Sequence, residues 1–130
     1  MIVVDSSAVL DALIARPVKP RLLDRLALDA DLQAPHLIDV EVVHALRQLV
    51  RTGDITEERA EEAREDFADL TIARYPHTPL VDRMWQLRHS LTAYDAAFVA
   101  LAEALDVPLV TSDARLSRAA GPVARVELFG

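Results

Sequence analysis

Short β-branched runs in this chain alternate with longer segments whose apolar residues recur at helical spacing. The runs predict strands at residues 2–4, 32–34, 70–74, 107–111 and 123–129. The longer segments predict helices at residues 8–15, 21–28, 37–50, from 56 onward, 79–91, 92–105 and 114–119. Strands that alternate with helices are typical of crossover units around a parallel sheet. The pattern therefore predicts an α/β fold, with the almost entirely apolar helix 92–105 deep inside it.

Composition narrows the class of protein. The chain has 130 residues, 52% of them hydrophobic, which suits one domain over residues 1–130. Its 14 Lys and Arg stand against 21 Asp and Glu, a net charge of −7. That charge disfavours broad attraction to nucleic acid or an anionic membrane, so RNA or DNA would have to be held by metal ions or a confined basic patch.

The same composition bears on the compartment. The chain has no cysteine, which fits a reducing cytoplasm and excludes disulfides and thiolate metal sites. The N-terminus lacks the basic and apolar regions of a signal peptide. No apolar run approaches the roughly 18 residues of a membrane span. We therefore expect a cytoplasmic protein without a membrane partner.

Four acidic residues lie where the pattern changes from core to edge: Asp5, Glu41, Asp95 and Asp113. Asp5 and Asp113 follow predicted buried strands, and Glu41 and Asp95 lie near predicted helix starts. In open α/β sheets, ligands bind beyond the carboxyl ends of the strands. Carboxylates gathered there would repel one another unless a hard cation such as Mg²⁺ or Mn²⁺ bound between them. Two such ions can activate a water and stabilise the leaving oxygen in phosphodiester hydrolysis.

Each acid also has a purely structural interpretation. Thr92 and Asp95 have the spacing of a capping box, and Asp5 and Asp113 are suited to cap the helices that follow them. Glu41 alone is more often a solvated helix residue. The nearby Asp39 would point to a different face of the same helix, and we assign it to a helix cap.

The four acids and their flanking residues resemble the PIN domain family, most closely its VapC-type toxins of VapBC toxin–antitoxin pairs. The resemblance rests on VVDSSA at residues 3–8, the Glu41 helix preceded by Pro35, YDAAFVALA at residues 94–102 and LVTSD at residues 109–113. It covers residues 2 to about 129. It implies a three-layer α/β/α fold with a small, mainly parallel central sheet flanked by helices.

The resemblance also implies a function. Members are metal-dependent endoribonucleases, so we expect RNA as substrate and Asp5, Glu41, Asp95 and Asp113 as ligands of Mg²⁺ or Mn²⁺. Supporting hydroxyls would be Ser6, where the family more commonly has Thr, and Thr111. A VapB-like antitoxin would cover the site, with a groove beside the apolar faces of the early helices, at Leu10, Leu13, Leu23 and Leu26.

Self-association is the remaining expectation from the resemblance. The segment after Pro79 carries more large apolar side chains than one face readily buries: Leu80, Met84, Trp85, Leu87 and Leu91. Some of them are therefore predicted to lie in a homodimer, which would bring Arg83 or Arg88 near RNA on the other subunit. We interpret Trp85 and Tyr94 as core or interface aromatics rather than base-stacking platforms. A basic cluster at Arg16, Lys19, Arg21 and Arg25 suits either RNA phosphates or a solvated face.

Three other functions compete. A phosphoacceptor receiver domain also has acids at strand exits, but it needs a lysine late in the chain, and Lys19 is the only lysine. A non-catalytic PIN module would ordinarily have lost one of the four acids. A PIN nuclease in RNA maturation would differ from a toxin only in having no antitoxin.

Overall fold

Five parallel strands form one sheet at the centre of the molecule. The computed structural model describes all 130 residues. The strands are β1 (Ile2–Val4), β2 (Leu32–Pro35), β3 (Ile72–Tyr75), β4 (Leu109–Thr111) and β5 (Val126–Leu128). They lie in the order β3-β2-β1-β4-β5, with Val3 paired to Gln33 on one side and to Leu109 on the other. The predicted strands are confirmed, although β4 and β5 are shorter than their apolar runs.

Seven α-helices flank the sheet and complete a three-layer α/β/α fold. They are α1 (Ser6–Ile14), α2 (Pro20–Leu28), α3 (Leu37–Arg51), α4 (Glu57–Asp69), α5 (Val81–Gln86, after a 3₁₀ turn at Thr78–Leu80), α6 (Ala93–Leu105) and α7 (Ala114–Ala120). Helices α1, α3 and α4 pack on one another, while α6 packs against β1, β2 and β4. Every residue of α6 from 96 to 102 is buried, as its apolar sequence predicts.

The segment after Pro79 differs from the prediction. The long helix expected there ends at Gln86, and residues 87–90 form turns. Leu80, Leu87 and Leu91 are nevertheless buried in the subunit's own core. Arg83 forms a two-pronged ion pair with Glu103, at 2.8 and 3.0 Å. The apolar spacing therefore reflects burial within the chain for Leu80, Leu87 and Leu91, while Trp85 of the same segment stays exposed.

Trp85 and Tyr94 are not core residues. They are 66% and 62% exposed, which contradicts a position in the core for both and leaves the interface interpretation as a prediction. The Arg88 guanidinium stacks on the Trp85 ring at 4.2 Å from its centroid. Tyr94 lies in the first turn of α6, next to Asp95.

The assignment of Asp39 to a helix cap is also wrong. Its carboxylate accepts two hydrogen bonds from Arg74, both at 2.8 Å, and so ties α3 to β3. The residue at the N-cap of α3 is His36, which makes no side-chain capping bond. A bidentate guanidinium partner is a better match for a carboxylate than a single backbone N–H.

Part of the predicted basic cluster is engaged within the chain. Lys19 donates to Asp11 at 2.5 Å, and Arg25 pairs with Glu127 at 2.6 Å. Of the leucines expected to form a groove, Leu10, Leu13 and Leu26 pack against the core. No helix combines the length and the apolar character that crossing a membrane would require.

Candidate active site

The sheet has a topological switch between β1 and β4. The chain runs outward from β1 through β2 to β3, then returns to form β4 and β5 on the other side. Because all strands are parallel, the carboxyl ends of β1 and β4 lie side by side, and Asp5 and Asp113 follow them. Such a switch point is where open α/β sheets place their ligands.

Asp5 is the most enclosed of the four acids, with 5% of its surface exposed. Its Oδ1 accepts the Ser7 hydroxyl at 2.7 Å and the Ala8 N–H at 2.9 Å. Its Oδ2 accepts the Thr111 hydroxyl at 2.5 Å. The carboxylate therefore both caps α1 and is held in one orientation across the switch point by two neighbouring elements.

Ser7 is a residue of the site that sequence reasoning missed. While its hydroxyl donates to Asp5, its oxygen accepts the Ser112 N–H at 3.0 Å. Thr111 does the same with the Asp113 N–H, also at 3.0 Å. Each hydroxyl therefore accepts a hydrogen bond from a backbone N–H just after β4 and donates its own hydrogen to Asp5. The signal available was a second hydroxyl two residues after a strand-terminal Asp, the spacing of a local turn.

Glu41 approaches the site from α3, in the second turn of that helix. The Ser6 hydroxyl donates to its Oε1 at 3.2 Å. Ser6 and Thr111 therefore contact different acids: Ser6 holds Glu41, and Thr111 holds Asp5. Both contacts join residues distant in sequence, so they exist only because the fold brings α3 beside α1 and β4 beside β1.

Asp95 and Asp113 share a cation that the sequence did not single out. An Arg115 amino group lies 3.6 Å from a carboxylate oxygen of each. Asp113 caps α7 by accepting the N–H groups of Arg115 and Leu116. The Thr92 hydroxyl accepts the Asp95 N–H at 3.2 Å, so the predicted cap at the start of α6 is present.

The electrostatics of the site follow from burial and proximity. Burial raises the pKa of Asp5, and the charge of Asp95 adds to this, against the lowering effect of its hydrogen bonds. Burial also raises the pKa of Glu41, with smaller contributions from Asp95 and Asp5. For Asp95, burial raises the pKa, Arg115 lowers it and Asp113 raises it. Carboxylates with these shifts lie near enough to repel one another.

The four acids are neighbours rather than a closed cage. No three His, Asp or Glu side chains lie together closely enough to hold a metal ion as they stand. Arg115 is the cation nearest to Asp95 and Asp113. The hydrogen-bond partners of Asp5 and Glu41 are neutral hydroxyl and N–H groups. The arrangement is a partly buried anionic site with little internal charge compensation.

Comparison with known proteins identifies the family to which this arrangement belongs. The family model described as PIN domain matches residues 2–122. Ribonuclease VapC1 of Mycobacterium tuberculosis is 47% identical over 127 residues, which cover 97% of this chain and 96% of the relative. VapC ribonuclease Mb0985 of Mycobacterium bovis is 41% identical over 90% of this chain and 89% of its own length.

The fold is similar to solved structures at lower identity. A chain in the crystal structure of VapBC2 from Rickettsia felis, bound to a promoter DNA fragment, superposes with a TM-score of 0.72 at 15% identity, over 100% of both chains. A chain of FitAcB from Neisseria gonorrhoeae gives 0.71 at 18% identity, over 97% of this chain and 96% of its own. At such identities the similarity shows the fold alone.

Proposed function

The chain is a VapC-type member of the PIN domain family, and from that premise we propose that it is a metal-dependent endoribonuclease, the toxin of a type II toxin–antitoxin pair. The observation that carries the proposal is the gathering of Asp5, Glu41, Asp95 and Asp113 at the switch point. Their mutual repulsion favours a bound cation, and RNA is the substrate class named for the relatives. Family membership leaves the receiver-domain alternative without support.

The donor set fits Mg²⁺ or Mn²⁺. All four side chains offer carboxylate oxygens, which these hard ions prefer, and no sulfur or imidazole is among them. Asp5 and Glu41 would hold the ion on the β1 and α3 side, and Asp95 and Asp113 on the α6 and β4 side.

The chain's own residues prepare this site. Thr111 and Ser7 fix the orientation of Asp5, and Ser6 fixes Glu41, so less side-chain freedom is lost when an ion binds. Arg115 neutralises part of the charge of Asp95 and Asp113 and, at 69% exposure, can also meet a phosphate. When bound, Mg²⁺ or Mn²⁺ supplies activation of water and stabilisation of the leaving oxygen of a phosphodiester.

The test is cleavage of RNA by purified protein with and without a divalent ion. We expect cleavage with Mg²⁺ or Mn²⁺, none after chelation, and a sharp loss in Asp5→Asn, which keeps the size of the side chain but removes a ligand charge. Asp66→Asn is the matched control, because Asp66 is an exposed residue of α4. Undiminished cleavage by Asp5→Asn at the same metal concentration would contradict the assignment of Asp5.

An antitoxin resembling VapB is the proposed partner. A groove of about 370 Å³ between α3 and α4 is lined by apolar residues that include Val43 and Val50, and by a set of charged residues: Arg47, Arg51, Arg64, Glu57 and Glu61. Arg64 is paired with Glu61, so Arg47 and Arg51 are the arginines left to meet a partner. Together with the apolar lining they suit an amphipathic segment that carries acidic residues. Co-expression with the adjacent reading frame and purification through a tag on one chain tests this. Recovery of the tagged chain alone would favour a PIN nuclease of RNA maturation.

A further inference from the structure

An open groove of about 580 Å³ adjoins the acidic site and is not explained by catalysis. Ser6 and Glu41 form its boundary with the acids, and the rest of its wall is made by Leu37, Val40, His44, Ala45 and Tyr94. Its volume lies within the range of about 300–1,000 Å³ that is usual for pockets binding small organic groups. The groove therefore offers room for a planar organic group directly beside the carboxylates.

One wall is a face of α3 that the sheet leaves uncovered. Ile38, Val42 and Leu46 turn toward the core and are buried. Val40 and His44, one turn apart, are on the exposed side, and the Val40 side chain is 67% exposed. An aliphatic wall with a single imidazole can contact an aromatic ring and still offer one hydrogen bond.

The other wall is the ring of Tyr94. It differs from the second tyrosine of the chain, Tyr75, which packs against the core and donates its hydroxyl to Gln33 at 2.7 Å. Trp85, the other exposed aromatic, is already stacked with Arg88. Tyr94 is therefore the exposed ring at the site, and it lines the same groove as Ser6 and Glu41.

We propose that this groove binds one nucleobase of the RNA, that of a nucleotide flanking the cleaved bond, with Tyr94 as the stacking surface and His44 as the hydrogen-bonding group that discriminates between bases. The proposal rests on the function proposed above. A base whose phosphate lies at the carboxylates is tethered within reach of a groove that shares Ser6 and Glu41 with them. Stacking on an exposed tyrosine accepts any base, so selectivity falls to His44.

Charge favours a base over an acidic segment of a partner protein. Glu41 is the one carboxylate lining the groove, and no Lys or Arg lines it. An acidic peptide would meet repulsion there, whereas a nucleobase is neutral. The phosphates of the same RNA would be held outside the groove, by the ions at the four acids and by Arg115.

The experiment compares the kinetics of Tyr94→Ala, Tyr94→Phe and wild type on one RNA pool. We expect Tyr94→Ala to raise KM by about tenfold with kcat little changed, as loss of one base stack predicts. Tyr94→Phe keeps the ring and should behave as wild type. His44→Ala should relax the base preference beside the cleaved bond. Leu28→Ala removes an exposed side chain, 83% exposed at the end of α2, and should change nothing.

A second measurement does not depend on cleavage. A nucleoside, which carries no phosphate and therefore needs no ion, is titrated into labelled protein in the presence of chelator, and the Tyr94 ring and Val40 methyl signals should shift while those of Leu28 stay. Unchanged KM and base preference in Tyr94→Ala, or no shift of Tyr94, would overturn the nucleobase site. If Tyr94→Ala cleaved RNA as wild type does but was no longer inhibited by a partner protein, the nucleobase site would be overturned in favour of a protein ligand. Wild type that cleaves no RNA but shifts Tyr94 would refute the nuclease and keep the base site.

Discussion

Asp5 is a buried carboxylate whose partners are hydroxyls and an N–H group rather than a cation. Hydrogen bonds stabilise its charged form, yet burial outweighs them and the pKa lies above its ordinary value of 3.8. The folded protein therefore keeps a proton on Asp5 at pH values where the unfolded chain has lost it. It follows that the free energy of unfolding decreases as pH rises through this window.

We predict that Asp5→Asn removes this pH dependence. The variant should be at least as stable as wild type at pH 7 in chelator, and the difference should shrink as pH falls toward 4, because Asn caps a helix as well as Asp does. Mg²⁺ should stabilise wild type and much less the variant. Urea unfolding at the two pH values measures this. A variant that becomes less stable relative to wild type as pH rises would contradict the raised pKa.

The contact between Arg115 and Asp95 can be tested through the pKa of Asp95. Its guanidinium lowers the pKa of Asp95, so Arg115→Gln should raise that pKa further. Titration of the Asp95 carboxyl carbon by NMR, in metal-free protein, gives the value directly. Arg118→Gln is the matched control, since Arg118 lies one turn later on α7 and forms no ion pair with these acids. Equal Asp95 pKa values in wild type and both variants would mean that Arg115 does not contact Asp95 in solution.

Helix α6 places Asp95 through its cap. The Thr92 hydroxyl accepts the Asp95 N–H and so fixes the first turn of the helix. We predict that Thr92→Ala lowers the free energy of unfolding by about 1 kcal/mol, while Thr92→Ser, which keeps the hydroxyl, costs much less. The same change should weaken Mg²⁺ binding, because the first turn carries a proposed ligand. Equal metal affinity in the two variants would limit Thr92 to a structural role.

The sequence predicted the positions of helices and strands well where a local pattern alone determines them. The strands were recognisable because each is a short apolar run beside a turn signal, and the Thr92 cap because a hydroxyl stands three residues before an acid. The end of α5 was not foreseen, since Leu87 and Leu91 keep helical spacing while lying in turns that bury them equally well. Asp39, Ser7 and Arg115 were missed for another reason. Their partners lie on other elements or depend on tertiary placement, which local pattern does not report.

At the scale of the whole molecule, the exposed Trp85 on α5 indicates how two copies of the chain could associate. Leu80, Leu87 and Leu91 are buried in the subunit. The large apolar residues that remain exposed for a two-fold contact are Trp85 and Val81, at 66% and 49%. Arg83 is held by Glu103, and Arg88 lies over the indole. Any dimer through this face is therefore smaller than the sequence suggested and is centred on Trp85.

We predict that the chain nevertheless self-associates through Trp85. A large aromatic ring flanked by a stacked arginine is the composition typical of an energetically dominant contact, and burying it in a two-fold interface would remove two indoles from water. Sedimentation equilibrium at tens of micromolar should give the mass of a dimer for wild type and for Leu28→Ala, and of a monomer for Trp85→Ala. Thermal unfolding of Trp85→Ala at low protein concentration should stay close to that of wild type, since two thirds of the surface of Trp85 is already exposed in the subunit. A wild-type monomer at tens of micromolar would contradict the dimer.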